Sequence, residues 1–219
     1  LTSVRIIEQH GFRLDLRALL ARSVSADKKI LEQLDEGALV EQLLEFFRNR
    51  LQNLFVNTSR DDMPGPFAHD TFDAVVRAST PWYDIVDLTE RLEALDAFRR
   101  RPDFGDVAAT FKRTNNILRD VDVDGDPDPA KFADGEEKAL GEAAERIGKE
   151  TAACLAAGDY IGALAAIAPL RDDVNAFFDA VLVNDPDEAV RLNRQRLVKH
   201  VVSLVLQVAD FAAIQSEGE

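Results

Sequence analysis

Apolar residues recur at helical spacing along almost the whole of this sequence, and no stretch alternates apolar and polar residues between hairpin turns. That pattern restricts the chain to an all-α fold, a multi-helix bundle. Leu39, Leu43, Phe46, Phe47, Leu51 and Leu54 mark a long amphipathic helix, and Phe72, Val75, Val76 and Ala78 a shorter one. The spacing predicts further helices over 84–101 and 104–119, an Ala-rich one over 136–158, and one over 160–183 that Pro169 breaks. Asp185-Pro186-Asp187-Glu188 reads as the start of the last helix, with Asp185 as N-cap, Pro186 in the first turn and Glu188 closing a capping box. That helix is expected to run to about Ile214. Residues 1–35 are read as a helical segment connecting from a preceding domain, and 36–219 as the helical domain itself. The start at Leu1, with no initiator Met and no signal-peptide core, reads as part of a longer protein.

Composition excludes several classes. With 219 residues, 46% of them hydrophobic, the chain is long enough to bury a substantial core, so global disorder is not expected. The most apolar stretch, 201–213, contains Gln207 and Asp210 and is too short and too polar to span a bilayer. One cysteine, Cys154, excludes an internal disulfide and fits a reducing, cytoplasmic setting. Its Ala-Ala-Cys-Leu-Ala-Ala surroundings read as an inert core position. Three histidines are too few for a His-rich metal centre.

The net charge of −14 argues against a general nucleic-acid binder, but it is unevenly spread. Residues 120–137 hold eight acids and one lysine. Residues 46–60 hold three arginines and no acid, 97–119 six bases and two acids, and 189–200 four bases and no acid. A local polyanion site therefore stays open.

Two short motifs have metal-binding overtones. Asp120-x-Asp122-x-Asp124-Gly125-x-x-Asp128 matches the early positions of a calcium loop, but Lys131 stands where a bidentate Glu should close it. A solvated acidic linker without a tight metal is the expectation. His69-Asp70 reads as a helix start with Asp70 as N-cap. No Gly-rich phosphate loop, Gly-x-Ser-x-Gly elbow or metalloprotease His pair occurs.

Helix 104–119 is more informative. Phe104, Val107, Ala108, Asn115 and Leu118 share the face of Phe111, while Lys112, Asn116 and Arg119 line one flank and Arg113 points further out. The flank is either a solvated surface or one that grips phosphates with Lys and Arg and reads base edges with Asn. In the last helix Asn193 and Arg194 fall on the apolar stripe of Leu197, with Arg191 at its edge. A charge on such a stripe needs a partner or an opening, and Asp179 is the expected partner of Arg194.

These segments also carry a resemblance. Phe111-Lys112-Arg113-Thr114-Asn115-Asn116-Ile117-Leu118, the 174–183 segment around Phe177-Phe178-Asp179, Arg191-Leu192-Asn193-Arg194 and Val208-Ala209-Asp210-Phe211 occur in the order seen in the β-subunit family of bacterial glycyl-tRNA synthetases. His69-Asp70-x-Phe72-Asp73-Ala74-Val75 and Leu14-Asp15-Leu16 fit as well. The region resembles the C-terminal part of that subunit, with the all-α DALR-type anticodon-binding domain shared with arginyl-tRNA synthetases. The resemblance implies a cytoplasmic chain that binds tRNA(Gly) through Lys112, Arg113, Asn116, Arg119, Arg191, Asn193 and Arg194. It implies association with an α subunit in an α2β2-type complex. Glycine activation, with ATP and Mg²⁺, would belong to that catalytic subunit, leaving this region non-catalytic and without a cofactor. On the residues alone, a helical protein–protein scaffold without RNA contact remains the alternative.

Overall fold

Aspartates cap several of the helices. Asp35 accepts from the backbone N of Ala38, Asp84 from Val86 and Asp87, Asp159 from Gly162, and Asp187 from Ala189 and Val190. The computed structural model describes residues 2–26, 35–58, 65–119, 121, 123–133 and 135–215. Its helices are α1 (Thr2–Gln9), α2 (Leu16–Ala26), α3 (Glu36–Asn57), α4 (His69–Val76) and α5 (Ile85–Arg99). They continue with α6 (Phe104–Ile117), α7 (Gly135–Ala156), α8 (Tyr160–Ile167), α9 (Leu170–Ala180) and α10 (Glu188–Leu206). Short 3-10 turns cover Pro129–Lys131 and Phe211–Ala213. No strand occurs among the described residues, only an isolated bridge between Asp15 and Asp84. The all-α expectation holds, and the break at Pro169 separates α8 from α9.

The apolar faces meet in one core that runs from Val4 to Ile214. Helix α7 packs on α8 and α9, α5 on α8, and α6 on both α9 and α10, while α2 lies on α3 and α1 on α5. No helix among the described residues is long and apolar enough to cross a membrane.

Three local expectations are corrected. Asp185 does not cap the last helix, because its carboxylate turns to Arg194 and to the backbone N of Asp187, and Asp187 caps instead. That helix ends at Leu206 rather than near Ile214. The chain turns there, with Asp210 N donating to Ala74 O, so that Phe211 reaches the rings of Phe98, Phe104 and Phe111 at 6.4, 6.2 and 6.0 Å. Asp70 does not cap α4. It is buried and accepts from Arg99 Nη1 at 2.7 Å and Gln215 N at 3.0 Å. Burial opposes its charge, but these donors outweigh burial and hold the carboxyl below its ordinary range.

The turn between α4 and α5 is the junction of the bundle. Arg91, at 0% exposure, bonds Asp87 on its own helix and reaches the carbonyls of Val75, Thr80 and Pro81 at 3.2, 3.2 and 3.3 Å. Ser79 and Thr80 donate to the carbonyls of Leu206 and Gln207, and Leu16 N donates to Tyr83 O. The Tyr160 hydroxyl donates to the other oxygen of Asp87, which brings in α8.

Replacing Arg91 with Met leaves Asp87 without its buried arginine and takes one donor away from each of three carbonyls, of which Val75 O keeps the amide of Ala78. Urea unfolding should show a loss of about 3–5 kcal/mol. A loss no larger than that of an exposed ion pair, about 1 kcal/mol, would contradict this account.

Burial, then the bond to Asp87, push the Tyr160 phenol from 10.0 up to about 12. The folded state favours the protonated phenol. Its contribution is therefore complete below pH 10 and is lost as the pH rises toward 12. The melting temperature of Tyr160→Phe should lack that part of the alkaline decline.

Candidate nucleic-acid interface

Helix α6 turns Val107, Thr110, Phe111 and Thr114 inward. Its outer side carries Gly105, Ala109, Arg113 and Asn116 exposed, with Lys112 half-buried beside them. Because Gly105 and Ala109 are small, this outer side is low and the longer cations stand around it as walls. Ala109 lies in three adjoining hollows. One, of about 440 Å³, lies over Lys112, Arg113, Asn116 and Ile117. A second, of about 400 Å³, runs toward Arg99, Arg101, Phe104 and Gln215. The third, of about 470 Å³, runs toward Arg171, Asp172 and Asn175.

The cations of this surface are chemically available. Among the described residues, neither Lys112 nor Arg113 forms an ion pair with a carboxylate, and neither does Arg119. The guanidinium of Arg113 lies 5.0 Å from the centre of the Phe178 ring on α9, which gives it a flat support. Arg119 donates to Asn116 Oδ1, which leaves the amide NH₂ of Asn116 as its donor side. Lys112 and Asn116 thus share one flank, as their spacing predicts, and Arg119, two residues beyond the end of α6, joins them through its bond to Asn116.

The other two basic stretches differ. In 46–60, Arg48 is 3.5 Å from Asp73 and Arg50 sits over the Phe46 ring at 5.1 Å, while Arg60 lies outside the described residues. In 189–200 the cations meet the acidic loop. Lys199 donates to Val123 O, and Arg196 to Asp124 O at 2.7 Å. Asn193, at 3% exposure, accepts from Asp128 N at 2.7 Å and donates to Asp128 O at 3.1 Å. Arg191 donates to Asp185 O at 2.8 Å and stays half-buried. The loop is therefore an acidic strap laid along α10.

Two glycines let the strap lie close. Gly125 turns with φ +87 against the Arg196 guanidinium. At Gly141 a Cβ would stand 2.5 Å from the Phe132 ring, which rests on α7 there.

Arg194 is 7% exposed and held by acids, but not by Asp179, which is exposed. It bonds Glu137 of α7, Asp185 and the carbonyl of Leu182. The turn between α9 and α10 folds over the guanidinium, so its partners come from that turn and from α7. Asn193 and Arg194 therefore lie inside the bundle, apart from the exposed flank of α6.

Of the calcium-like positions, Asp120 and Asp122 lie outside the described residues. Asp128 caps the 3-10 turn at Ala130 and pairs with Lys131 at 3.4 Å. No group of three or more His, Cys, Asp or Glu among the described residues is placed to hold a metal ion. His69 lies 3.3 Å from Asp73 and 2.9 Å from Gln52. Cys154 is half-buried against the core.

The sequence reading missed Phe178 as the support of Arg113, and the hollow beside Arg99 and Arg101. Phe177-Phe178 carried a signal for the first. Two adjacent aromatics on a helix cannot both face one core, and here Phe177 is buried while Phe178 stays half-exposed.

Asn193→Ala removes both bonds to Asp128. Hydrogen exchange at the Asp128 amide should quicken and stability should fall by about 1–3 kcal/mol. Unchanged exchange there would mean that Asn193 does not anchor the strap.

Comparison with known proteins adds the following. Residues 107–214 match the DALR anticodon binding domain. The chain is 37% identical over 217 residues to the glycine–tRNA ligase β subunit of Anaeromyxobacter dehalogenans (strain 2CP-1), covering 98% of this chain and 30% of that subunit. It is 37% identical over 213 residues to that of Geobacter metallireducens, covering 96% and 29%, and 35% identical over 217 residues to that of Solidesulfovibrio magneticus, covering 96% and 30%. The chain thus spans about 30% of the length of the curated relatives it matches.

Proposed function

The chain belongs to the family of glycine–tRNA ligase β subunits and carries their DALR anticodon binding domain, and from that premise we propose that it binds the anticodon arm of tRNA(Gly) on the outer flank of α6. One observation supports this surface above the others. In a chain of net charge −14, Lys112, Arg113 and Arg119 stand together with no carboxylate partner among the described residues. The remaining basic stretches are largely bonded to acids, carbonyls or rings of the same chain.

The roles follow from the chemistry. Lys112 and Arg119 grip phosphates, and Arg113, supported by Phe178, adds an outer grip. Arg191 keeps guanidinium N–H groups beyond its one bond to Asp185 O and is a further outer grip. Asn116, with its amide NH₂ outward, reads a base edge. The acids elsewhere repel RNA and so favour one docking orientation. Asn193 and Arg194 act from inside, keeping α10 and the strap in place.

In this reading the parent protein takes part in ATP-dependent glycylation of tRNA in the cytoplasm, paired with an α subunit in an α2β2-type complex. ATP and Mg²⁺ serve that catalytic partner.

Lys112→Ala and Arg119→Ala in the full synthetase should each weaken tRNA binding across sequences. Each should also flatten the slope of log affinity against log salt by about 0.7–0.9. Asn116→Ala should change the discrimination between anticodons instead. Parent-like affinity and an unchanged salt slope in all three variants would show the flank to be an ordinary solvated surface.

A further inference from the structure

Beside the Lys112 flank lies the second hollow, between the end of α5, the first turn of α6 and the tail at Gln215. We infer that it holds one unstacked base of a single-stranded RNA loop, a step that rests on the RNA-binding reading of α6.

The hollow measures about 400 Å³, within the range that holds small ligands. Its walls combine flat and cationic groups. The Arg99 guanidinium lies 5.5 Å from the centre of the Phe104 ring. It cannot swing freely, because Asp70 and Thr71 Oγ1 hold it at 2.7 and 3.0 Å. Arg101 stands over the Phe98 ring at 5.2 Å and is tethered to Asp103 by two bonds of 2.9 Å. Lys112 closes the far side without a carboxylate partner and also lines the neighbouring groove over Asn116. The exposed amide of Gln215 adds a donor and an acceptor at the rim.

These features select the occupant. A free anion would make no use of the ring and the flat guanidinium, and an uncharged apolar ligand would make no use of Lys112. A nucleotide uses both, with its base stacked on Phe104 or Arg99 and its phosphate on Lys112. The shared lysine makes the hollow continuous with the proposed phosphate grip, so an RNA chain on the flank reaches it without a break.

The floor allows a test that alters shape without altering charge. A Cβ at Gly105 would have no heavy atom within 4 Å. Gly105→Leu can therefore fill the hollow without disturbing the core, and Gly105→Phe is a second, bulkier filler at a position that lines this hollow and not the groove over Asn116. Both are made in the full-length subunit assembled with its partner. The probes are a glycine-tRNA transcript and an anticodon stem-loop with 2-aminopurine placed in turn at each loop position. Each of the two fillers should weaken binding about tenfold, the loss of one stacked base. The salt slope should not change, and the fluorescence change at one loop position should disappear. Gly105→Ala should behave like the parent. If both fillers bind like the parent and keep the fluorescence change while Lys112→Ala weakens binding, the hollow is not a base site although the flank binds RNA. If Lys112→Ala also leaves affinity and salt slope unchanged, the RNA reading of α6 fails, and the hollow fails with it.

Discussion

Arg91 is the constraint on which the rest of the bundle depends. A guanidinium taken fully out of water must have its charge balanced and its donors filled. Asp87 balances the charge, and the carbonyls of Val75, Thr80 and Pro81 take the remaining donors. Those carbonyls belong to the end of α4 and the turn that follows it. The buried charge therefore sets where that turn must lie. The turn in turn fixes the end of α10 through Ser79 and Thr80, and the start of α2 through Tyr83. Asp87 extends the arrangement to α8 through Tyr160.

The same rule governs charge at the surface. A helical chain with many more acids than bases can hold many of its cations in internal pairs. Here α10 is matched to an acidic strap, Arg194 to Glu137 and Asp185, Arg99 to Asp70 and Arg101 to Asp103. Against that background, three cations on one flank without carboxylates stand out as a local positive field. The strap, residues 123–133, meets α10 mainly through backbone atoms of Val123, Asp124 and Asp128, with the Asp124 carboxylate 3.6 Å from Lys199. It supplies the counter-charge and the backbone acceptors that let a basic helix lie within the bundle.

Most of the helices were legible in the sequence, because an apolar stripe at period 3.6 is a local property of the chain. The break at Pro169 is equally local. The misread ends have a common cause. Asp70 and Asp185 both carry the chemistry of an N-cap, yet each turns to a distant arginine, Arg99 or Arg194. A cap bond to a neighbouring N–H competes with a charge-assisted bond across the fold, and where burial removes water the latter prevails. The end of α10 was misplaced for a similar reason. Residues 201–213 look helical throughout, but Phe211 meets three other rings only if the chain turns after Leu206.

By itself, the sequence determined the fold class, the order of the helices and the flank that unites Lys112 and Asn116, since each depends only on the spacing of residues along a helix. Tertiary structure alone decided which cations remain available. Arg113, Arg194 and Arg196 look alike in sequence, yet one rests on Phe178, one is buried between Glu137 and Asp185, and one binds the strap. Side chains from helices far apart in the chain make those partnerships. Electrostatic strength depends on separation in space and on access to water, and neither is written in the order of residues.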